Sequence, residues 1–128
     1  MERRRIKFPV MVAGVKNMNG HIYTKEVCNS VMANINKHGI TIKCGTNYAG
    51  IASKSYFKGD ILFAEAFLQG IYTDVRGQRI TSTGYGTCDG NGTIKDYSIM
   101  EFQITTTSAF ENFIDCSVQY IYKRNIKI

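Results

Sequence analysis

Apolar positions recur along the chain at two spacings, and the changes of spacing mark the elements. From Ile6 to Val15 they alternate loosely, with Phe8, Val10 and Val12 on one side, which predicts a strand. Pro9, the single proline, has no N–H to give to a ladder, so this strand is expected to start there or to run along a sheet edge. Asn17 to Gly20 is turn chemistry, because Asn and Gly tolerate positive φ. Thr24 then offers a cap, and Val27, Cys28, Val31, Met32 and Ile35 recur at helical spacing as far as Lys37, with Gly39 as the stop. These signals predict a helix over about residues 25 to 38.

Beyond it, Ile40 to Cys44 reads as a short strand and the polar stretch CGTNYAGIASKSYFKGD as a long connection. ILFAEAFLQG is apolar apart from Glu65. Its shortness between two glycine-containing turns predicts a strand crossing the core, with Glu65 turned outward by alternation. Arg79 to Thr83 reads as a further strand, and the Asp-Gly and Asn-Gly pairs of GYGTCDGNG as a hairpin or wide loop. Tyr97 to Thr106 alternates with Ser98, Met100, Phe102 and Ile104 on one face, and Ile114, Cys116, Val118, Tyr120 and Tyr122 do the same. The expected architecture is α+β, a mostly antiparallel, barrel-like sheet with one main helix. A single domain over residues 1–128 carries short basic arms at about 1–8 and 123–128.

Composition fits that reading: 44% apolar residues, eight Tyr and seven Phe supply a core that disordered chains lack. No apolar run approaches the ~20 residues that span a bilayer, and MERRRIKFPVMVAG lacks a signal peptide's apolar region, so a soluble, unprocessed chain with no membrane contact is expected. Cys28, Cys44, Cys88 and Cys116 form no C-x-x-C pair and have no histidine at zinc spacing, so they are expected as reduced thiols, with no metal and no cofactor. The net charge of +6 is not spread evenly. Residues 9 to 122 hold nine Lys/Arg and nine Asp/Glu, whereas Arg3, Arg4, Arg5, Lys7, Lys123, Arg124 and Lys127 face only Glu2 at the two ends. Such ends can reach nucleic acid or an acidic protein surface, or simply keep termini solvated. No aromatic-flanked nucleic-acid signature accompanies them in either terminal segment.

Catalytic motifs are sparse. There is no G-x-S-x-G, phosphate loop or H-E-x-x-H, GYGTCDGNG lacks the spacing of a dinucleotide site, and Asn91-Gly-Thr fits a turn better than a glycosylation site. His21, after a turn, and His38, at a helix end, are the only imidazoles, and both are expected at the surface. A serine nucleophile needs a base, so any hydrolysis must recruit one of these two. Arg76 and Arg79 flank Gly77 and could serve an oxyanion, though two turn arginines are ordinarily solvated.

NMNGHIYTKEVCNSVMANIN resembles the start of the prohead (capsid maturation) proteases of tailed phages, relatives of the assemblin fold. In that family an N-x-N-x-R-x-Y-P-like segment joins the first strand to the first helix; Asn17, Asn19, Ile22 and Tyr23 match it, while His21 and Thr24 replace Arg and Pro. KGDILFAEAFLQG, RITSTGYG and DYSIMEFQITTTSAF resemble later segments, and the resemblance spans about residues 8 to 110. It implies that Ser82 stands at the family's nucleophile. Where the family carries its catalytic His, IKCGTNYAG offers Asn47 and then Tyr48, and no His follows Gly39. A phenol with a pKa of about 10 is a poor base at neutral pH.

The resemblance therefore implies an inactive protease-like domain: a phage virion or capsid-associated structural protein, auxiliary, decoration or head–tail joining, assembled in the host cytoplasm. Its partners would be capsid or other virion proteins, with the chain present in many copies or as a homo-oligomer. The alternatives are an active maturation protease using Ser82 and His21, and a nucleic-acid-binding accessory protein acting through the basic termini.

Overall fold

The computed structural model describes residues 3–17, 20–70, 78–106 and 119–121. The fold is α+β: one helix and a mostly antiparallel sheet curled into a half-barrel. In chain order the elements are β1 (Arg3–Val12), β2 (Ile22–Tyr23), α1 (Lys25–His38), β3 (Ile40–Cys44), β4 (Asn47–Lys58), β5 (Ile61–Gln69), β6 (Gln78–Cys88), β7 (Thr93–Thr106) and β8 (Gln119–Ile121). Across the sheet the order is β1-β5-β4-β3-β7-β6-β8, with β2 added beside β7. The β3–β7, β2–β7 and β6–β8 pairs are parallel and the others antiparallel.

Helix α1 ends where its caps dictate. Thr24 Oγ1 accepts from Val27 N at 3.2 Å, and Gly39, at φ 73°, donates its N–H to Ile35 O at 2.9 Å. The helix buries Val27, Cys28, Val31 and Ile35 against the concave side of the sheet. Burial of each such aliphatic chain stabilises by about 1.5–3 kcal/mol. The sheet supplies Phe8, Val10 and Met11 from β1, Leu62, Ala64, Ala66 and Leu68 from β5, and Ile94, Tyr97, Ile99, Phe102 and Ile104 from β7.

Three expectations are corrected by how the strands pair. First, the basic stretch expected as an N-terminal arm is strand: Arg3 to Val12 pairs with β5, at the sheet edge that Pro9 requires. Second, most of the expected long connection is β4, a twelve-residue strand. Its buried face is built from Ala49, Gly50, Ala52 and Ser55, small residues that conceal the alternation. They are small because the neighbouring backbone is close: a Cβ on Gly50 would stand 2.0 Å from Phe67 O. Third, Ser98 and Met100 do not share a face with Phe102 and Ile104. The β6–β7 register shifts between Thr83 and Gly84, leaving Met100 as the extra residue, so the inward set is Tyr97 and Ile99, then Phe102 and Ile104. GYGTC extends β6, and the expected hairpin turn falls at Asp89–Gly92, where Asp89 Oδ1 accepts from Asn91 N and Thr93 N. The strand expected over residues 114 to 122 is described only as β8.

β3 accompanies β4 only as far as Ala52. Beyond that point Asn36 of α1 takes the place of a strand: its Nδ2 donates to Ser55 O at 3.0 Å and its Oδ1 accepts from Ser55 N at 2.8 Å. The Ser55 hydroxyl donates to Phe63 O at 2.7 Å. Asn36→Ala leaves both backbone groups of the buried Ser55 without this amide, and is expected to destabilise by roughly 1–2 kcal/mol in urea unfolding. Asn36→Asp, which retains the acceptor but turns a second carboxylate oxygen towards Ser55 O, should destabilise at least as much.

Candidate functional site

Ser82 lies on β6 opposite Phe102, 0% exposed, between the buried Thr81 and Thr83. The threonine hydroxyls donate across to Gln103 O and Glu101 O, each at 3.4 Å. Ser82 Oγ accepts from the phenol of Tyr97 at 3.3 Å. The Tyr97 ring crosses β6 at Gly84, where a Cβ would meet ring carbon Cζ at 2.9 Å. Burial pushes the Tyr97 phenol above its ordinary value and Ser82 offsets only part of that. The group facing the serine is thus a protonated donor, the reverse of what activation of a nucleophile demands.

His21 is buried, at 2% exposure, rather than at the surface as expected. Its backbone N donates to Asn17 Oδ1 at 3.0 Å, and Ile22 N donates to Gly92 O at 2.8 Å, so the His21–Tyr23 segment docks beside the β6–β7 turn. That is the far end of β7 from Phe102, the partner of Ser82. Tyr23 is the anchor, buried and edge-on to Tyr97 with ring centroids 5.5 Å apart. Asn19 lies outside the described residues. Tyr48, 49% exposed, opposes Lys43, which is followed across the sheet by Gln103 and Thr81. Three strand spacings, about 14 Å, therefore separate Tyr48 from β6. Ser82, Tyr48 and His21 do not converge. His38 is exposed, as expected. Arg76 and the side chain of Arg79 lie outside the described residues.

Cys28 offers no replacement nucleophile. Burial pushes the Cys28 thiol up to about 12, with Lys25 opposing only weakly. Cys44 and Cys88 are free and half-buried, and Cys116 lies outside the described residues. Among the described residues no group of three or more His, Cys, Asp or Glu could hold a metal, and no helix is long and apolar enough to cross a membrane.

A different set of residues does converge. On the convex side of β1, β5 and β4 the registers align three rows: Arg5, Phe67 and Ile51; Lys7, Glu65 and Lys54; Pro9, Phe63 and Tyr56. A fourth row ends in Lys58. Tyr56 and Phe63 stack with centroids 6.3 Å apart. Lys7 Nζ stands 5.0 Å from the Phe63 centroid and 5.8 Å from that of Tyr56, Lys54 stands 5.9 Å from Tyr56, and Arg5 lies 5.9 Å from Phe67. Glu65 pairs with Arg5, whose hydrogen bond, followed by that of Tyr56, holds its carboxyl below the usual range. Glu65 thus turns outward as expected, in a field of four cations.

Of the basic residues singled out in the sequence, Arg5 and Lys7 belong to this face; Arg4 alternates to the other side of the strand and is exposed. The side chain of Arg3, and Lys123, Arg124 and Lys127, lie outside the described residues. Lys54, Tyr56, Phe63 and Phe67 were missed because they sit on different strands. The R-x-K of β1 and F-x-E-x-F of β5 were the available signal. Comparison of the chain with known protein families, with curated proteins and with solved structures finds no match.

Two outcomes follow for the buried hydroxyls and thiol. Ser82→Ala strips Tyr97 of its buried acceptor and is expected to destabilise by roughly 1–3 kcal/mol, a loss that Ser82→Ala with Tyr97→Phe partly restores. Chemical unfolding of these two variants beside the wild type measures both. For Cys28 the folded pKa lies above the unfolded value of 9.0. Stability should therefore be unaffected by this group below about pH 9 and fall as pH rises towards about 12. In Cys28→Ala the alkaline fall should be smaller.

Proposed function

We propose that the chain is a non-catalytic binding protein, a structural component associated with a phage virion or capsid, built on a protease-like domain. The observation that carries the loss of chemistry is the Ser82 hydroxyl, sealed from solvent and faced by a phenol that donates to it. Hydrolysis needs an accessible nucleophile and a proton acceptor, and this serine has neither. No observation favours the alternative in which Ser82 works with His21, because Ser82 bonds to Tyr97 and His21 lies at the other end of β7.

The phage assignment rests on the likeness of the Asn17–Tyr23 turn, the following helix and the Ser82 segment to prohead proteases. A fold that keeps its core while its chemistry lapses remains useful for what its surface holds. The convex face of β1, β5 and β4 is the surface offered here, with exposed Phe67 and Ile51 beside Arg5, Lys7 and Lys54. Aromatic residues and arginine, such as Phe67 and Arg5 here, are enriched in interfaces. The partners proposed are capsid or other virion proteins, bound by many copies of the chain.

The test combines labelling with stoichiometry. A fluorophosphonate probe should leave Ser82 unmodified in the native protein, and mass spectrometry of purified particles should find the chain in regular copy number. Labelled Ser82 accompanied by cleaved scaffold in wild type and uncleaved scaffold in Ser82→Ala would reinstate the protease. Absence of the chain from proheads and from finished particles alike would remove the structural role.

A further inference from the structure

The geometry points to a single-stranded polynucleotide as a ligand of the convex face, lying across β1, β5 and β4 with bases on the aromatic rings and phosphates on the lysines and arginine. The inference rests on that face being a working surface and goes beyond the reading above, giving the face to a polynucleotide and leaving virion proteins to be met by other surfaces. Charge gives the first argument. The outward positions of these strands carry Arg5, Lys7, Lys54 and Lys58 against Glu65, itself paired to Arg5. An extended polyanion fits such a stripe, because each phosphate neutralised releases condensed counterions.

The rings give the second. Phe67, 37% exposed on the inner strand β5, presents its ring on the same surface, and Tyr56 and Phe63 stack two rows away, beyond the Lys7–Glu65–Lys54 row. Base–aromatic stacking needs unpaired bases with open faces, which a duplex does not offer. Cations now lie over these rings, Lys7 over Phe63 and Tyr56, Lys54 over Tyr56 and Arg5 over Phe67. A stacking base must displace each long side chain from its ring, which leaves the charge free to meet the phosphate beside that base. Arg5 and Lys7 sit two residues apart on one strand face, about 6.6 Å.

A simpler account covers part of this pattern. Charged side chains on an edge strand keep it from pairing with other chains, and β1 is an edge. Beyond Ala52 β4 also loses its neighbour β3, so the same reason covers Lys54 and Lys58; it gives no account of Phe63 and Phe67 on β5, which β1 and β4 flank on both sides.

The experiment is fluorescence anisotropy of the full chain with labelled oligothymidylate, oligouridylate and a mixed-sequence duplex, between about 50 and 200 mM salt. Both single strands should bind more tightly than the duplex; a preference between them identifies DNA or RNA as the source. The affinity should fall as salt rises, with a logarithmic slope of about −2 for three phosphate contacts. Phe67→Ala should weaken binding by roughly 5- to 100-fold, the range for loss of one stacked base. The Lys7→Gln, Lys54→Gln double variant should flatten the salt slope by about 1.4, while Lys37→Gln on α1 changes neither. Circular dichroism confirms that each variant is folded. Equal affinity for polyglutamate, for duplex, or for the Phe67→Ala variant overturns the inference. Variants of this face that drop out of particles although the wild type binds no oligonucleotide also overturn it and leave the structural reading standing. Fluorophosphonate labelling of Ser82 removes that reading without touching this one.

Discussion

A sheet with one covering helix has to close much of its core by curling, and the rest of this molecule depends on that constraint. Helix α1 supplies four buried side chains, so the concave face must bring its own strands close enough to fill the remaining space. Small residues make this possible: Ala49, Gly50, Ala52 and Ser55 on β4 face the same interior as Ala64 and Ala66 on β5. Where the curl carries β4 beyond the reach of β3, Asn36 supplies the missing ladder partner from the helix. Among the described residues no second layer covers the convex side. The aromatic and cationic rows therefore face solvent as a consequence of the architecture.

Legibility in the sequence followed local chemistry. The helix with its Thr24 and Gly39 caps, the β5 strand with Glu65 outward, and the edge position forced by Pro9 each rest on residues next to one another in the chain. All three stand in the structure. What was not legible depends on pairing across strands. β4 reads as loop because its inward residues are Ala, Gly and Ser, chosen by the closeness of β5 rather than by hydrophobicity. Met100 breaks the alternation of β7 because the strand bulges opposite Thr83 and Gly84, and period-2 arithmetic has no term for a bulge. The basic stretch at Arg3–Lys7 reads as an arm because its partner strand lies some sixty residues onward.

The two candidate sites differ in the same way. Ser82 is visible in the sequence because a segment around it is similar to a known nucleophile motif, yet its partner, Tyr97, depends on β6–β7 pairing and on the ring passing over Gly84. The convex face has no motif within any single segment. It exists only once Arg5, Phe67 and Ile51, then Lys7, Glu65 and Lys54, are set side by side by register.

The parallel contact between β3 and β7 has a further consequence for how the chain folds. It joins two antiparallel blocks, β1-β5-β4-β3 and β7-β6, through Ile42 with Phe102 and Lys43 with Gln103. Reciprocal bonds between Gln103 and the Gly45 backbone and the Lys43–Glu101 ion pair reinforce it. The β3–β4, β4–β5 and β6–β7 hairpins close over short loops, but this junction, like the β1–β5 pairing, links residues about sixty positions apart. Its closure entropy must be met before its contacts form, so loop length places the docking of the two blocks, together with the addition of β1 to β5, after the local hairpins. The Tyr97–Ser82 contact can be in place within the β6–β7 hairpin before that docking, whereas the Ala- and Gly-lined interior is complete only after it.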